Sequence, residues 1–203
     1  MSRWIFVALS LLVLVGCGPI QLPDTKVYRI GGSPMYAHAQ ARVGRQSDQQ
    51  KPVLVVASPM AVAGYDTRQM AYVQTPYQVS YFARHQWAAP PAQMLQSVLV
   101  EAVRQQGSFL AVLSAPVVAH AKYRLNVTVM ALEQDFTQPI SRERLILQAT
   151  VIDQLQGKVL GSRCFKGLLP TQANTPFYGV LAANQLTTKI AAQLANWVAR
   201  IAV

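Results

Sequence analysis

Two stretches in the second half of the chain alternate in polarity every residue, and they leave few folds open. Residues 123–136 place Leu125, Val127, Val129 and Ala131 on one side and Arg124, Asn126, Thr128 and Met130 on the other. Residues 144–152 repeat the pattern with Leu145, Leu147, Ala149 and Val151. Successive side chains of a strand point to opposite faces, so each stretch is a strand with one buried face. The tight Asp153-Gln154-Leu155-Gln156-Gly157 connection leads into a third strand over 158–168, which makes an antiparallel meander. Such a face of aliphatic side chains needs a second layer to cover it.

The chain supplies that layer twice. After Pro90-Pro91, the residues Met94, Leu95, Val98, Leu99, Ala102 and Val103 recur at helical spacing, with Gln93, Gln96, Ser97, Glu101 and Arg104 opposite them. The prolines suit a first turn, and Gly107 suits the helix end. A second helix is expected over 178–201, where Leu186, Ile190, Leu194, Trp197 and Ile201 share one stripe and place Trp197 in the core. Shorter β-type segments fall at 25–30, 52–57, 69–73, 78–82 and 109–113; Ser58-Pro59 ends the second, and the third and fourth could pair as a hairpin. Residues 38–51 are polar without an apolar face and read as a loop or partly disordered insertion. The expected fold is α+β: a two-layer sandwich of a mainly antiparallel sheet with two amphipathic helices packed on it.

The first seventeen residues are of another kind. Arg3 precedes an apolar run from Trp4 to Val15, interrupted by Ser10, and the run closes on Leu14-Val15-Gly16-Cys17. Twelve residues cannot span a bilayer, which needs about 20, but they match the apolar core of an export signal. The ending resembles a bacterial lipobox, in which cleavage precedes a cysteine that is then acylated. The expected organisation is a lipoprotein signal peptide at 1–16, a lipidated Cys17 with a short tether over 17–24, and one domain over 25–203. Gly18 follows the cysteine; in Gram-negative lipoproteins an aspartate there favours retention at the inner membrane, so its absence favours the outer membrane.

That anchor changes how the net charge of +10 is read. Export argues against nucleic acid, and the basic residues form no run. A membrane surface or a protein partner fits better. The chain has only two cysteines, Cys17 and Cys164. With Cys17 acylated, Cys164 has no intramolecular partner, and a small buried hydrophobe in a strand is its expected role.

Little chemistry is visible. Glu133 and Asp135 share a strand face, but Thr137-Gln138-Pro139 after them suggests a strand end entering a solvated turn. His38, His85 and His120 are isolated, without metal-ligand spacing. There is no G-x-S-x-G elbow and no Gly-rich phosphate loop. No cofactor is expected, and the chain reads as a non-enzyme.

One constellation is more specific. Tyr65-Asp66-Thr67-Arg68-Gln69-Met70 is followed by Tyr81-Phe82-Ala83-Arg84-His85-Gln86-Trp87-Ala88-Ala89-Pro90 and then by the first helix. Later come Arg163-Cys164-Phe165 at a strand and Ala182-Ala183-Asn184 in the last helix. The order and spacing of these motifs, together with the lipobox, resemble the ABC-type transport auxiliary lipoproteins, the lipoprotein components of MCE-type intermembrane lipid transport systems. The family pattern has a basic residue directly after the Asp, where this chain has Thr67 and then Arg68. The resemblance implies an outer-membrane lipoprotein on the periplasmic face, without catalysis, that docks the MCE-domain protein of an ABC-type lipid transporter. Tyr65, Asp66, Arg68, Arg84 and Trp87 are the candidate partner contacts, with core packing the plainer role for Arg84 and Trp87. Phospholipid and further copies of the chain are the remaining candidate partners. A different envelope lipoprotein, one that regulates a cell-wall synthase, is the alternative; a tether of only about seven residues argues against it.

Overall fold

The computed structural model describes residues 24–31, 50–117 and 120–202. The signal peptide, Cys17, most of the tether and nearly all of the polar 38–51 stretch lie outside the described residues. The elements run β1 (Lys26–Tyr28), β2 (Val53–Val56), β3 (Met60–Ala61), β4 (Gln69–Thr75), β5 (Gln78–Trp87), α1 (Pro91–Gln105), β6 (Ala111–Ser114), β7 (Tyr123–Asp135), β8 (Arg142–Asp153), β9 (Lys158–Pro170) and α2 (Pro176–Ala202). The α+β sandwich is as expected, with both helices on the sheet.

β7 is the spine of the sheet. One edge pairs along its whole length with antiparallel β8, which in turn pairs with β9. The other edge is lined in succession by β2, β3 and β4, all parallel to β7. β3 was hidden in the sequence by Ser58-Pro59. Proline gives up one donor, but Ala57 and Val62 on either side donate to the carbonyls of Leu125 and Val129 at 2.9 and 3.0 Å, so the chain stays on the β7 edge. β6 pairs with β2, and β1 with β5, both in parallel. β4 and β5 form the expected hairpin, with β5 running on to Trp87.

The core lies between this sheet and the helices. Leu54, Leu95, Leu99, Leu125, Leu145, Val151 and Leu194 have no exposed surface, and each such side chain contributes about 1.5–3 kcal/mol on burial. α2 descends onto β9 because two glycines let it: a Cβ at Gly167 would sit 2.7 Å from Leu186 Cδ2, and one at Gly161 would sit 3.3 Å from Trp197. Trp197 is buried and meets Phe165 edge to face at 5.6 Å. α1 starts at Pro91, and Gly107, with φ +68°, donates its amide to the Arg104 carbonyl just past the helix end.

A register shift between Val129 and Ala131 re-aims the remainder of β7. One extra residue there reverses the alternation. Leu132 and Gln134, opposite Leu145 and Glu143, now take the helix-facing side, and Glu133 and Asp135 point to the other face, opposite Arg144 and Arg142.

Candidate interaction site

The turn between β3 and β4 is built from the Tyr65–Arg68 segment, and most of its groups are tied inward. Gly64, at φ +90°, accepts a hydrogen bond from the Tyr81 hydroxyl at 3.1 Å. The Tyr65 hydroxyl donates to Glu133 Oε2. Burial first, and then this bond to a carboxylate, push the tyrosine well above its usual value. Thr67 Oγ1 accepts the Gln69 amide at 2.9 Å, a turn role that an Asp commonly fills. Here Thr67 fills it and leaves Asp66 exposed. Arg68 Nε donates to the Trp87 carbonyl at 3.1 Å, while the Trp87 amide donates to the Arg68 carbonyl at 2.7 Å.

These contacts sort the candidate residues. Trp87 is 2% exposed and sits in the core, the plainer of the two roles expected for it, and as a partner contact it is disfavoured by that burial. Tyr65 is half-buried, with its hydroxyl already engaged. Asp66, Arg68 and Arg84 are exposed. The two motifs therefore meet in space, with the first turn stapled to the strand end that opens α1.

Behind Tyr65 lies a polar cluster that the sequence placed in solvent. Glu133, Asp135 and Glu143 are all buried. Arg144 bridges two of them, at 3.0 Å to Glu133 and 2.7 Å to Asp135, and Arg142 reaches Asp135 at 3.2 Å. Burial would raise the Asp135 carboxyl. Hydrogen bonds from the Thr137 side chain and amide, with the two arginine charges, outweigh that and hold it below the usual range. The expected solvated strand end is thus corrected to a buried ion-pair cluster. The signal was present in the sequence as Glu133-Gln134-Asp135 and Arg142-Glu143-Arg144, two strands of opposite alternating charge across a short turn.

On the helix side of the same strands, Gln134 Nε2 donates to Ser141 Oγ at 2.9 Å and to the Thr175 carbonyl at 3.2 Å. Its Oε1 is buried and accepts no hydrogen bond. Glu143 stands opposite in register, and both side chains crowd Gly179, where a Cβ would lie 2.5 Å from Gln134 Oε1 and 3.3 Å from Glu143 Oε2. Burial, and then the Glu133 charge, raise Glu143 well above the carboxylate range. The retained proton can serve Gln134 Oε1. The two side chains thus lie together beneath the first turn of α2.

Asn184 ties β1 to the helices. Its Oδ1 accepts the Gly31 amide at 2.9 Å, and its Nδ2 donates to the Arg29 and Val180 carbonyls at 3.2 and 2.9 Å. Cys164 is exposed on β9, which corrects the expectation of burial: the inward residue is its neighbour Phe165, with the Arg163 guanidinium 5.2 Å from that ring. Among the described residues no cluster of His, Cys, Asp and Glu could hold a metal. No helix among them is long and apolar enough to cross a membrane.

Solved structures share this arrangement. A Xanthomonas campestris protein, XCC0632, is 22% identical; the match covers 87% of this chain and 96% of that one, with a TM-score of 0.70. An uncharacterized protein is 17% identical over 87% of this chain and 99% of its own, with a TM-score of 0.66. Both show the fold. No curated protein matches the chain. The sequence model of the ABC-type transport auxiliary lipoprotein component matches residues 36–195, a span that holds the Tyr65 turn, the Trp87 strand end, the ion-pair cluster and Asn184. The chain belongs to the family of ABC-type transport auxiliary lipoprotein components.

Proposed function

We propose that this protein is a non-catalytic auxiliary component of an MCE/ABC-type intermembrane lipid transport system. Cys17 carries the lipid that holds it at the periplasmic face of the outer membrane, and the folded domain docks the periplasmic MCE-domain protein. The family match over residues 36–195 carries this reading. The lipobox supports the anchor, and acylation at Cys17 would make attachment effectively permanent. The internal engagement of the acidic cluster supports a role without catalysis, since Glu133 and Asp135 are held by arginines rather than turned toward a cleft. Asp66, Arg68 and Arg84 carry the charges that a docking partner would meet. Charged groups at such an edge set orientation and on-rate more than affinity.

The test is a pull-down of the acylated protein from solubilised envelopes, with mass spectrometry of proteins and lipids. Recovery of an MCE-domain protein supports docking, and stoichiometric phospholipid adds direct carriage of lipid. Recovery of cell-wall synthases without any MCE-domain protein would overturn the proposal.

A further inference from the structure

A chain of partly exposed rings crosses the sheet beyond the start of α2, at the margin of the core, against which Tyr28 and Phe82 pack. Phe136 meets Tyr72 and Phe82 at 6.0 and 6.2 Å. Phe82 meets His85 at 6.0 Å, and His85 stacks on Tyr28 at 5.8 Å with the rings 3° from parallel. Tyr28 continues to Phe177 at 6.4 Å. All of these rings are partly exposed, and Phe177 is 49% exposed. One helical turn on, Leu181 is 38% exposed on the same stripe of α2. Beside them on the β1 edge, Val27 is 51% exposed. The exposed Lys26, Arg29 and Arg84 border this apolar surface, and the charges of Lys26 and Arg84, after burial itself, lower the basicity of His85. Asp24 is the acid at this rim.

Apolar rings with a basic border suit the headgroup region of an anionic bilayer, where aromatic side chains and lysine or arginine collect. The position of the tether selects the same occupant. β1 is the point where the described chain begins, and Asp24 is the seventh residue after Cys17. At about 3.5 Å per residue this tether reaches no more than roughly 25 Å. A lipid on Cys17 would therefore keep the end of the domain that carries β1 and the start of α2 within reach of the leaflet, with the β8–β9 turn at the other end of α2 farther from it.

We infer that the surface formed by Tyr28, Phe82, Phe177 and Leu181, bordered by Lys26, Arg29 and Arg84, is seated on the anionic leaflet that holds the Cys17 lipid. This rests on the acylation proposed above. The seating fixes the domain's orientation, so that Asp66 and Arg68 and the far ends of the helices are offered to soluble partners in one pose. Arg84 stands at the boundary of the two surfaces.

The test uses the full acylated chain with Cys164→Ser, reconstituted into phosphatidylethanolamine–phosphatidylglycerol vesicles that carry a shallow spin-labelled lipid. A bimane probe is placed at Leu181→Cys or, as the distal control, at Leu155→Cys in the β8–β9 turn, a position 75% exposed. Flotation with the vesicles reads the anchor separately. A face lying about 5–10 Å into the headgroup boundary should lose about half of the 181 signal to the quencher, with 155 unaffected. Adding Lys26→Glu and Arg29→Glu should weaken that quenching without loss of flotation. A chain that floats with neither position quenched, or with both quenched alike, overturns the seated face and leaves the anchor standing. A signal at 181 that follows protein concentration rather than spin label would assign the face to a second copy and overturn the inference. A chain that does not float overturns both, because no leaflet is then within reach.

Discussion

Replacing Glu143 by glutamine removes one titration from the buried end of β8 and leaves the shape unchanged. In the unfolded chain this carboxyl ionises near 4.3. In the folded chain, burial under Gly179 and the nearby Glu133 charge raise it well above that value. The stabilising contribution of the raised group is fully present below 4.3. It is lost progressively as pH rises toward the folded value, because the unfolded state releases a proton that the folded state keeps. Within that window the folding equilibrium falls about tenfold per pH unit, a little over 1 kcal/mol. Glu143→Gln places an amide donor toward Gln134 Oε1 at every pH and does not titrate. Urea melts of the protein and the variant at pH 5, 6 and 7 give the measurement. The variant's stability minus the wild-type value should grow with pH by about 1 kcal/mol per unit across the window. Titrations common to both chains, such as those of His85 and Asp135, cancel in that difference. A difference that stays constant from pH 5 to 7 would refute the buried proton, and a variant less stable at every pH would refute its pairing with Gln134.

Three further outcomes rest on the geometry. Arg144→Ala leaves the buried Glu133 and Asp135 short of their shared partner; because the arginine is itself 37% exposed, the loss should fall below the usual 3–5 kcal/mol, at about 2–3 kcal/mol in urea melts. In the same melts the Asp135 contribution, present above about 3.9, should fade as pH drops through the lowered folded value, and it should fade less in the variant. Asn184→Ala strips the Gly31 amide and the Arg29 carbonyl of their partner, so hydrogen exchange of β1 should quicken while that of β7 and β8 does not, with a global cost of about 1–3 kcal/mol. Gly31→Ala combines a left-handed backbone at φ +74° with a Cβ 2.8 Å from Val98 Cγ2, and it should cost about 1–2 kcal/mol from the backbone alone, seen as a lower melting temperature.

The sequence carried the candidate site only in part. The Tyr65 turn and the Trp87 strand end were recognisable as motifs, but their joining through Arg68 and Trp87 backbone groups is a contact between separate strands, with no trace in local pattern. Asp66 and Thr67 exchanged the roles their residue types suggest, because the turn that forms directs the Thr67 hydroxyl, and not the Asp66 carboxylate, at the Gln69 amide. The aromatic surface was invisible: Tyr28, Tyr72, Phe82, Phe136 and Phe177 are scattered over the chain and meet only when β1, β4, β5, β7 and α2 are assembled.

Local periodicity alone determined the β7–β8–β9 meander, both amphipathic helices and hence the two-layer α+β sandwich, since a period of 2 or 3.6 residues dictates which side chains share a face. The lipobox-like ending at residues 14–17 is likewise an expectation of the sequence alone. Tertiary structure alone decided the parallel succession of β2, β3 and β4 on one edge of β7, because strand partners are chosen across long sequence distances. It also decided the fate of the acidic residues. One extra residue near Ala131 reversed the alternation of β7, turned Glu133 and Asp135 onto Arg144 and Arg142, and brought Gln134 against Glu143 under α2. A bulge of one residue leaves almost no mark on composition or period, yet it separates a solvated strand end from a buried ion-pair cluster.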